Sequence, residues 1–102
     1  MDNHSHIISA SLQLVPIIPG AKHPYDWIDE VIAIIKASGL QYEVGPFSTS
    51  VESDYKSVMC LIDSINSFLF AQDCPEWLLQ VQLQLRSGAD MTSHEKTDKH
   101  RD

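Results

Sequence analysis

A chain of 102 residues with 43% apolar and 21% charged side chains has room for one hydrophobic core and the usage of an ordinary folded domain. Its formal charge of −7 argues against a nucleic-acid partner, which needs a basic surface to displace counterions. No stretch approaches the roughly 18 consecutive apolar residues of a membrane helix, so no membrane partner is expected either.

Residues 1–6, Met1-Asp2-Asn3-His4-Ser5-His6, read as a flexible N-terminus. They carry no cationic start, and the apolar run that follows is interrupted by Ser9, Ser11, Gln13 and Pro16, unlike an export signal. The expected location is therefore cytoplasmic. The domain itself is read over residues 7–86. It opens on IISASLQLVPII, where Ile8, Ala10, Leu12 and Leu14 alternate with Ser9, Ser11 and Gln13. Period two predicts a strand with one face on a core, closed by Pro16 and Pro19-Gly20.

Residues 24–38 predict a helix. Pro24 suits the first turn, Asp26, Asp29 and Glu30 lie toward the positive end of the dipole, and Lys36 lies near its negative end. Ile28, Val31, Ile32 and Ile35 form the apolar stripe, Trp27 and Ile34 widen it toward a second contact, and Gly39 supplies a left-handed stop. Two short strand-like pieces, Tyr42–Val44 and Thr49–Glu52, flank Gly45-Pro46-Phe47-Ser48 as a hairpin. A second helix starts with Ser53 as N-cap and Asp54 in its first turn, with Tyr55, Val58, Met59, Ile62, Ile65 and Leu69 at helical spacing. It ends at Gln72-Asp73-Cys74-Pro75. Residues 78–86 give the last strand, with Leu79, Val81, Leu83 and Leu85 opposite Gln80, Gln82, Gln84 and Arg86. Residues 87–102 are a polar tail in which Thr92 or Ser93 could cap a short helix through Lys99, disorder being the alternative.

The order βαββαβ predicts an α+β, ferredoxin-like sandwich, with a four-stranded antiparallel sheet and two helices on one face. The other sheet face then carries Ser9, Ser11, Gln13, Glu43, Gln80, Gln82 and Gln84, polar but mostly uncharged. That chemistry suits a face covered by another sheet, and predicts a homo-oligomer. A plainly solvated face is the alternative.

Chemistry-bearing motifs are sparse. His4 and His6, and His94 and His100 in the tail, have no HExxH or Cys/His framework behind them, so no metal site is expected. Cys60 and Cys74 are read as a buried helical thiol and a loop thiol, unpaired. There is no GxGxxG, P-loop or GxSxG, and nothing arranges Ser, His and Asp as a triad, so neither a cofactor nor an enzyme activity is expected.

The richest stretch is Tyr42-Glu43-Val44-Gly45-Pro46-Phe47-Ser48-Thr49-Ser50-Val51-Glu52, with aromatics, hydroxyls and carboxylates around a Gly-Pro bend. Together with Ser11-Leu12-Gln13-Leu14-Val15-Pro16-Ile17 and Ile28-Asp29-Glu30-Val31-Ile32, it resembles the thiamine-binding protein family, small ferredoxin-like domains once grouped as an uncharacterised protein family. The resemblance spans roughly residues 7–86 and is most specific in the Y-E-x-x-P-F/M-x-T-x-x-E hairpin. Ser93–Lys99 also resembles, weakly, the small C-terminal helix of that family. The chain departs from the family's pattern at Ser48 and Ser53, where glycine is usual.

The resemblance implies non-catalytic binding of thiamine or its hydroxymethylpyrimidine moiety, for delivery, buffering or sensing, by dimers or tetramers built through sheet edges and sheet faces. On that footing Glu52 pairs with the amino edge or a protonated ring nitrogen of the pyrimidine. Thr49 and Ser50 add hydrogen bonds, Tyr42 or Phe47 stacks on the ring, and Gln13 and Gln82 line the pocket at a subunit interface. An acidic, aromatic mouth would also suit the thiazolium cation. For Tyr42 and Phe47 the alternative is hairpin or core packing, and for Glu52 it is capping of the second helix. For the whole chain, the alternatives are an oligomerisation module without a vitamin ligand and a small enzyme on the same fold.

Overall fold

Alternation in the first apolar run produces the strand from which the rest of the sheet is built. The computed structural model describes residues 6–90 and orders them as β1 (Ile7–Ile18), α1 (Pro24–Ala37), β2 (Gln41–Val44), β3 (Thr49–Asp54), α2 (Tyr55–Ala71) and β4 (Glu76–Gln84). The strands form one sheet in the order β2-β3-β1-β4, every neighbouring pair antiparallel. This is the ferredoxin-like sandwich that the βαββαβ order predicts. Ile8, Ala10, Leu12, Leu14 and Val51 on one sheet face share a core with Trp27, Val31 and Ile35 of α1 and Val58, Leu61, Ile65 and Leu69 of α2. Both helices therefore lie on that face.

The helix ends follow local chemistry. Pro24 opens α1, and the His23 imidazole caps it by accepting from the Tyr25 amide at 3.1 Å. Gly39, at φ 78°, adopts the left-handed conformation just past the helix. Asp54, not Ser53, caps α2: its carboxylate accepts from the Ser57 amide at 3.1 Å. The reason is the sheet, since β3 stays paired with β1 as far as Asp54 opposite Ile7, so the helix cannot begin at Ser53. At the other end Asp73 is left-handed at φ 58°, and the Cys74 amide reaches back to the Leu69 carbonyl at 3.0 Å. That is a Schellman-type stop built on aspartate where glycine is usual.

Three further details differ from the sequence reading. Met59 lies off the buried face of α2, which Leu61 occupies instead. Cys60 is exposed, against the expectation of a buried helical thiol, and the loop thiol Cys74 is buried, because the stop at Asp73 turns the next side chain inward. Strand β4 also starts earlier, at Glu76, and Leu83 and Leu85 near its end are 37% and 44% exposed. The second contact expected of Trp27 and Ile34 is resolved within the fold: Trp27 is buried and its indole donates to the Pro19 carbonyl at 2.9 Å, while Ile34 packs on the core's edge beside α2. The short helix anticipated around residues 93–99, and residues 1–5, lie outside the described residues.

Register places Ser9 opposite Gln84, Ser11 opposite Gln82 and Ser50, Gln13 opposite Gln80, and Glu43 opposite Ser50. Cross-strand partners share a face. The face away from the helices is thus the Ser/Gln surface anticipated above.

Candidate functional site

Unequal strand lengths create the site. Strand β1 pairs with β3 only as far as Leu12 opposite Thr49, yet runs on beside β4 to Ile18. Beyond Leu12 its β3 side is a free edge, which is also why Pro16 is tolerated there. The β2–β3 turn stands beside that step. It is tight: the Gly45 amide donates to the Ser48 carbonyl at 2.8 Å, leaving Pro46 and Phe47 at the tip. A Cβ on Gly45 would sit 3.0 Å from that same carbonyl oxygen, so glycine is needed for the close approach.

Between this turn, the end of β1 and α1 lies a cavity of about 250 Å³. Leu12, Leu14, Ile28 and Val31 give it apolar walls, and Tyr25 and Phe47 stand at it from opposite sides. These two rings are 70% and 81% exposed, so neither is held by the core. Thr49 lines the cavity while being 6% exposed, and makes no side-chain hydrogen bond with another described residue. Among the described residues no buried side-chain polar atom is left without a partner, so the Thr49 hydroxyl keeps some access to solvent. A shallower hollow lies on the Ser/Gln face, lined by Ser11, Gln13, Gln80 and Gln82 together with Phe47 and Ser48. Gln13, Phe47 and Ser48 border both hollows, and the Ser11 and Ser48 hydroxyls bond each other at 3.1 Å across the step.

The seven residues anticipated from sequence divide between these places. Thr49 and Phe47 meet at the cavity under α1, and Gln13, Gln82 and Phe47 meet at the hollow on the open face. Ser50 lies beside Gln82 on the open face but farther along β3. Tyr42 pairs with the buried Val51 and packs against the core on the helix side. Glu52 lines neither hollow in one protomer: it sits opposite Ser9 and Gln41, three residues, or about 10 Å, along β3 from Thr49. Nor is it the cap of α2, a role held by Asp54. Hydrogen bonds from Ser57, from its hydroxyl first and its amide second, hold the Asp54 carboxyl below the usual carboxylate range. Tyr25 is the residue the sequence reading missed. Its signal is an aromatic in the first turn of α1 off the buried stripe.

No group of three or more His, Cys, Asp or Glu side chains is placed to hold a metal among the described residues. His6 is described and exposed, with Nδ1 3.5 Å from the Asp90 carboxylate. His4, His94 and His100 lie outside the described residues.

Residues 10–101 match the thiamine-binding protein family. The chain belongs to that family. Its membership agrees with the resemblance seen in the hairpin, and the turn that carries the resemblance is the one that closes the cavity. UPF0045 protein CPE1503 of Clostridium perfringens is 25% identical over 93 residues, spanning 91% of this chain and 96% of that protein. Among solved structures, a domain of unknown function, DUF77, from Bacillus cereus superposes with a TM-score of 0.86 at 24% identity, over 99% of this chain and 97% of that one. That likeness is one of fold. A candidate thiamine biosynthesis/salvage protein from Thermotoga maritima is 28% identical, with a TM-score of 0.79 over 93% of this chain and 99% of that one. No helix among the described residues is long and apolar enough to cross a membrane.

Proposed function

We propose that this member of the family binds thiamine or its hydroxymethylpyrimidine half without transforming it, and delivers, buffers or senses it in the cytoplasm. The observation that carries the reading is the cavity between α1 and the Gly45–Ser48 turn, apolar on its walls, with Thr49 in its lining and two exposed aromatic rings beside it. A flat aminopyrimidine has the matching chemistry: two apolar faces for the Leu12, Leu14 and Val31 walls and polar edges for the Thr49 hydroxyl. The cavity is smaller than the ~300–1,000 Å³ of drug-sized sites, so it suits the pyrimidine ring more than the whole vitamin. The thiazolium then lies toward Phe47 and the open-face hollow, within reach of Gln13 and Gln82. Its positive charge suits an exposed aromatic ring on a chain of net charge −7. In this placement Tyr42 supports the hairpin, and Ser50 and Glu52 reach the ligand only if it extends along the open face.

A second feature supports assembly. On the open face Gln13, Gln80, Gln82, Ser11 and Ser50 are uncharged, and Val15 and Leu78, paired with each other beyond them, are 37% and 44% exposed. We infer a homo-oligomer, a dimer or tetramer formed through this face and the sheet edges. Such packing would place a second copy against Gln13 and Gln82.

The experiment is a thermal-shift titration with thiamine, its phosphates and hydroxymethylpyrimidine, repeated by calorimetry. A ligand at a hundred times its dissociation constant stabilises the fold by about 2.7 kcal/mol. A dose-dependent shift with one of these compounds supports the reading and identifies the ligand form. No shift with any of them, in a folded oligomer, leaves the assembly module as the function.

A further inference from the structure

A second groove, about 510 Å³, opens between the C-terminal end of α1 and the first half of α2. It shares no residue with the cavity under α1 or with the open-face hollow. Ile34, Leu40 and Leu61 give it an apolar lining, and Ala37 keeps one wall low. On the α2 wall stand Lys56, Cys60 and Ser64, one helical turn apart in succession.

Two observations define what fits there. None of the acidic side chains among the described residues lines this groove, so its lining is positive on a chain of net charge −7. Lys56, the one charged residue of the lining, makes no hydrogen bond or ion pair with another described residue, unlike Lys22, whose ammonium pairs with Glu30 and covers the Trp27 ring. An ammonium that no described carboxylate meets, beside an apolar hollow of ligand size, is complementary to an apolar body with one negative charge.

We propose that this groove is a second ligand site, for a small apolar anion: an aromatic or branched aliphatic body bearing one carboxylate or sulfonate. The body lies against Ile34, Leu40 and Leu61, and the anionic group meets the Lys56 ammonium with the Ser64 hydroxyl beside it. A thiazolium-bearing vitamin is repelled by Lys56, so the two sites take ligands of opposite charge.

The test uses 8-anilinonaphthalene-1-sulfonate, a probe of that chemistry, with the full chain. Fluorescence titration of the wild type should give one dye per protomer, and Lys56→Gln should weaken binding about three- to fivefold, the value of one partly exposed charge pair. Saturating dye should slow alkylation of the exposed Cys60 by iodoacetamide, and saturating thiamine should leave dye affinity unchanged. The proposal is overturned if Lys56→Gln binds the dye as wild type does, if the dye fails to protect Cys60, or if no dye binds. It is equally overturned if thiamine displaces the dye or Phe47→Ala abolishes its binding, which would seat the dye at the turn. A change in particle mass with Lys56→Gln, without loss of dye affinity, would make the groove a contact between copies instead.

Discussion

Replacing Phe47 by alanine separates binding from folding, because the residue stands at both hollows while giving almost nothing to the core. The ring is 81% exposed at the tip of a turn whose geometry is set by Gly45, Pro46 and Ser48. A phenylalanine offers about 150–250 Å² of surface, so on the order of 150 Å² remains open. A heteroaromatic ligand stacked on one side would cover roughly half of that, and at ~25 cal/mol per Å² the contact contributes about 2 kcal/mol. Loss of the ring should therefore raise the thiamine dissociation constant about 30-fold. The folded state should change by no more than about 0.5 kcal/mol, as for other exposed positions. Calorimetric titration gives the first quantity and a denaturant melt gives the second. Wild-type affinity in Phe47→Ala would refute the placement of the ligand at this turn. A destabilisation of ~2 kcal/mol or more would refute the premise that the ring is free of the core.

Four other outcomes follow from the same geometry. Thr49→Val removes the one hydroxyl that the proposed ligand placement uses in the cavity while keeping the side chain's shape, so thiamine affinity should fall about tenfold with the melting temperature unchanged or higher. Glu52→Gln should leave that affinity within about twofold, and a larger loss would move the ligand onto the open face. Asp54→Ala removes the cap of α2 and should cost about 1 kcal/mol at neutral pH, measured by denaturant unfolding. Because the folded Asp54 carboxyl titrates below its ordinary value of 3.8, that contribution is complete above that pH and fades as pH falls through the lowered value, so the gap between variant and wild type should narrow in acid. Asp73→Gly relieves a left-handed aspartate at φ 58° and should raise stability by about 0.5–1 kcal/mol, several degrees in melting temperature for a domain this size.

Much of the fold was legible because apolar periodicity is strong in every element. The alternation in 7–18 and 78–86 and the stripe through Val31 and Ile35 each reflect burial against one layer, which a sequence displays directly. Capping was less legible at Ser53-Asp54, since either side chain can cap and the choice was made by how far β3 stays paired with Ile7. The burial of Cys74 follows one left-handed residue, Asp73, whose conformation composition does not announce. For the site, simple parity was informative: Thr49 and Glu52 are an odd number of residues apart on one strand, so they face opposite sides of the sheet. The cavity itself required knowing that Tyr25 of α1 comes beside a turn some twenty residues later, a tertiary fact with no local signature.

The Ile7 amide donates to the Asp90 carboxylate at 2.7 Å, so the residue that starts β1 and the segment that follows β4 meet at one point. That point lies at the far end of the sheet from the Gly45–Ser48 turn, since Ile7 is five residues, or about 17 Å, from Leu12 along β1. Anything attached through either residue, whether a fused reporter, a surface tether or a second domain, would approach from that far end and leave the mouth beside Tyr25 and Phe47 unobstructed. The same closeness suits circular permutation of the described domain: a short linker could join Asp90 to Ile7, and new ends could be opened in a surface loop away from Phe47. Built that way, the scaffold would carry an optical reporter on one end of the sheet and a vitamin site on the other.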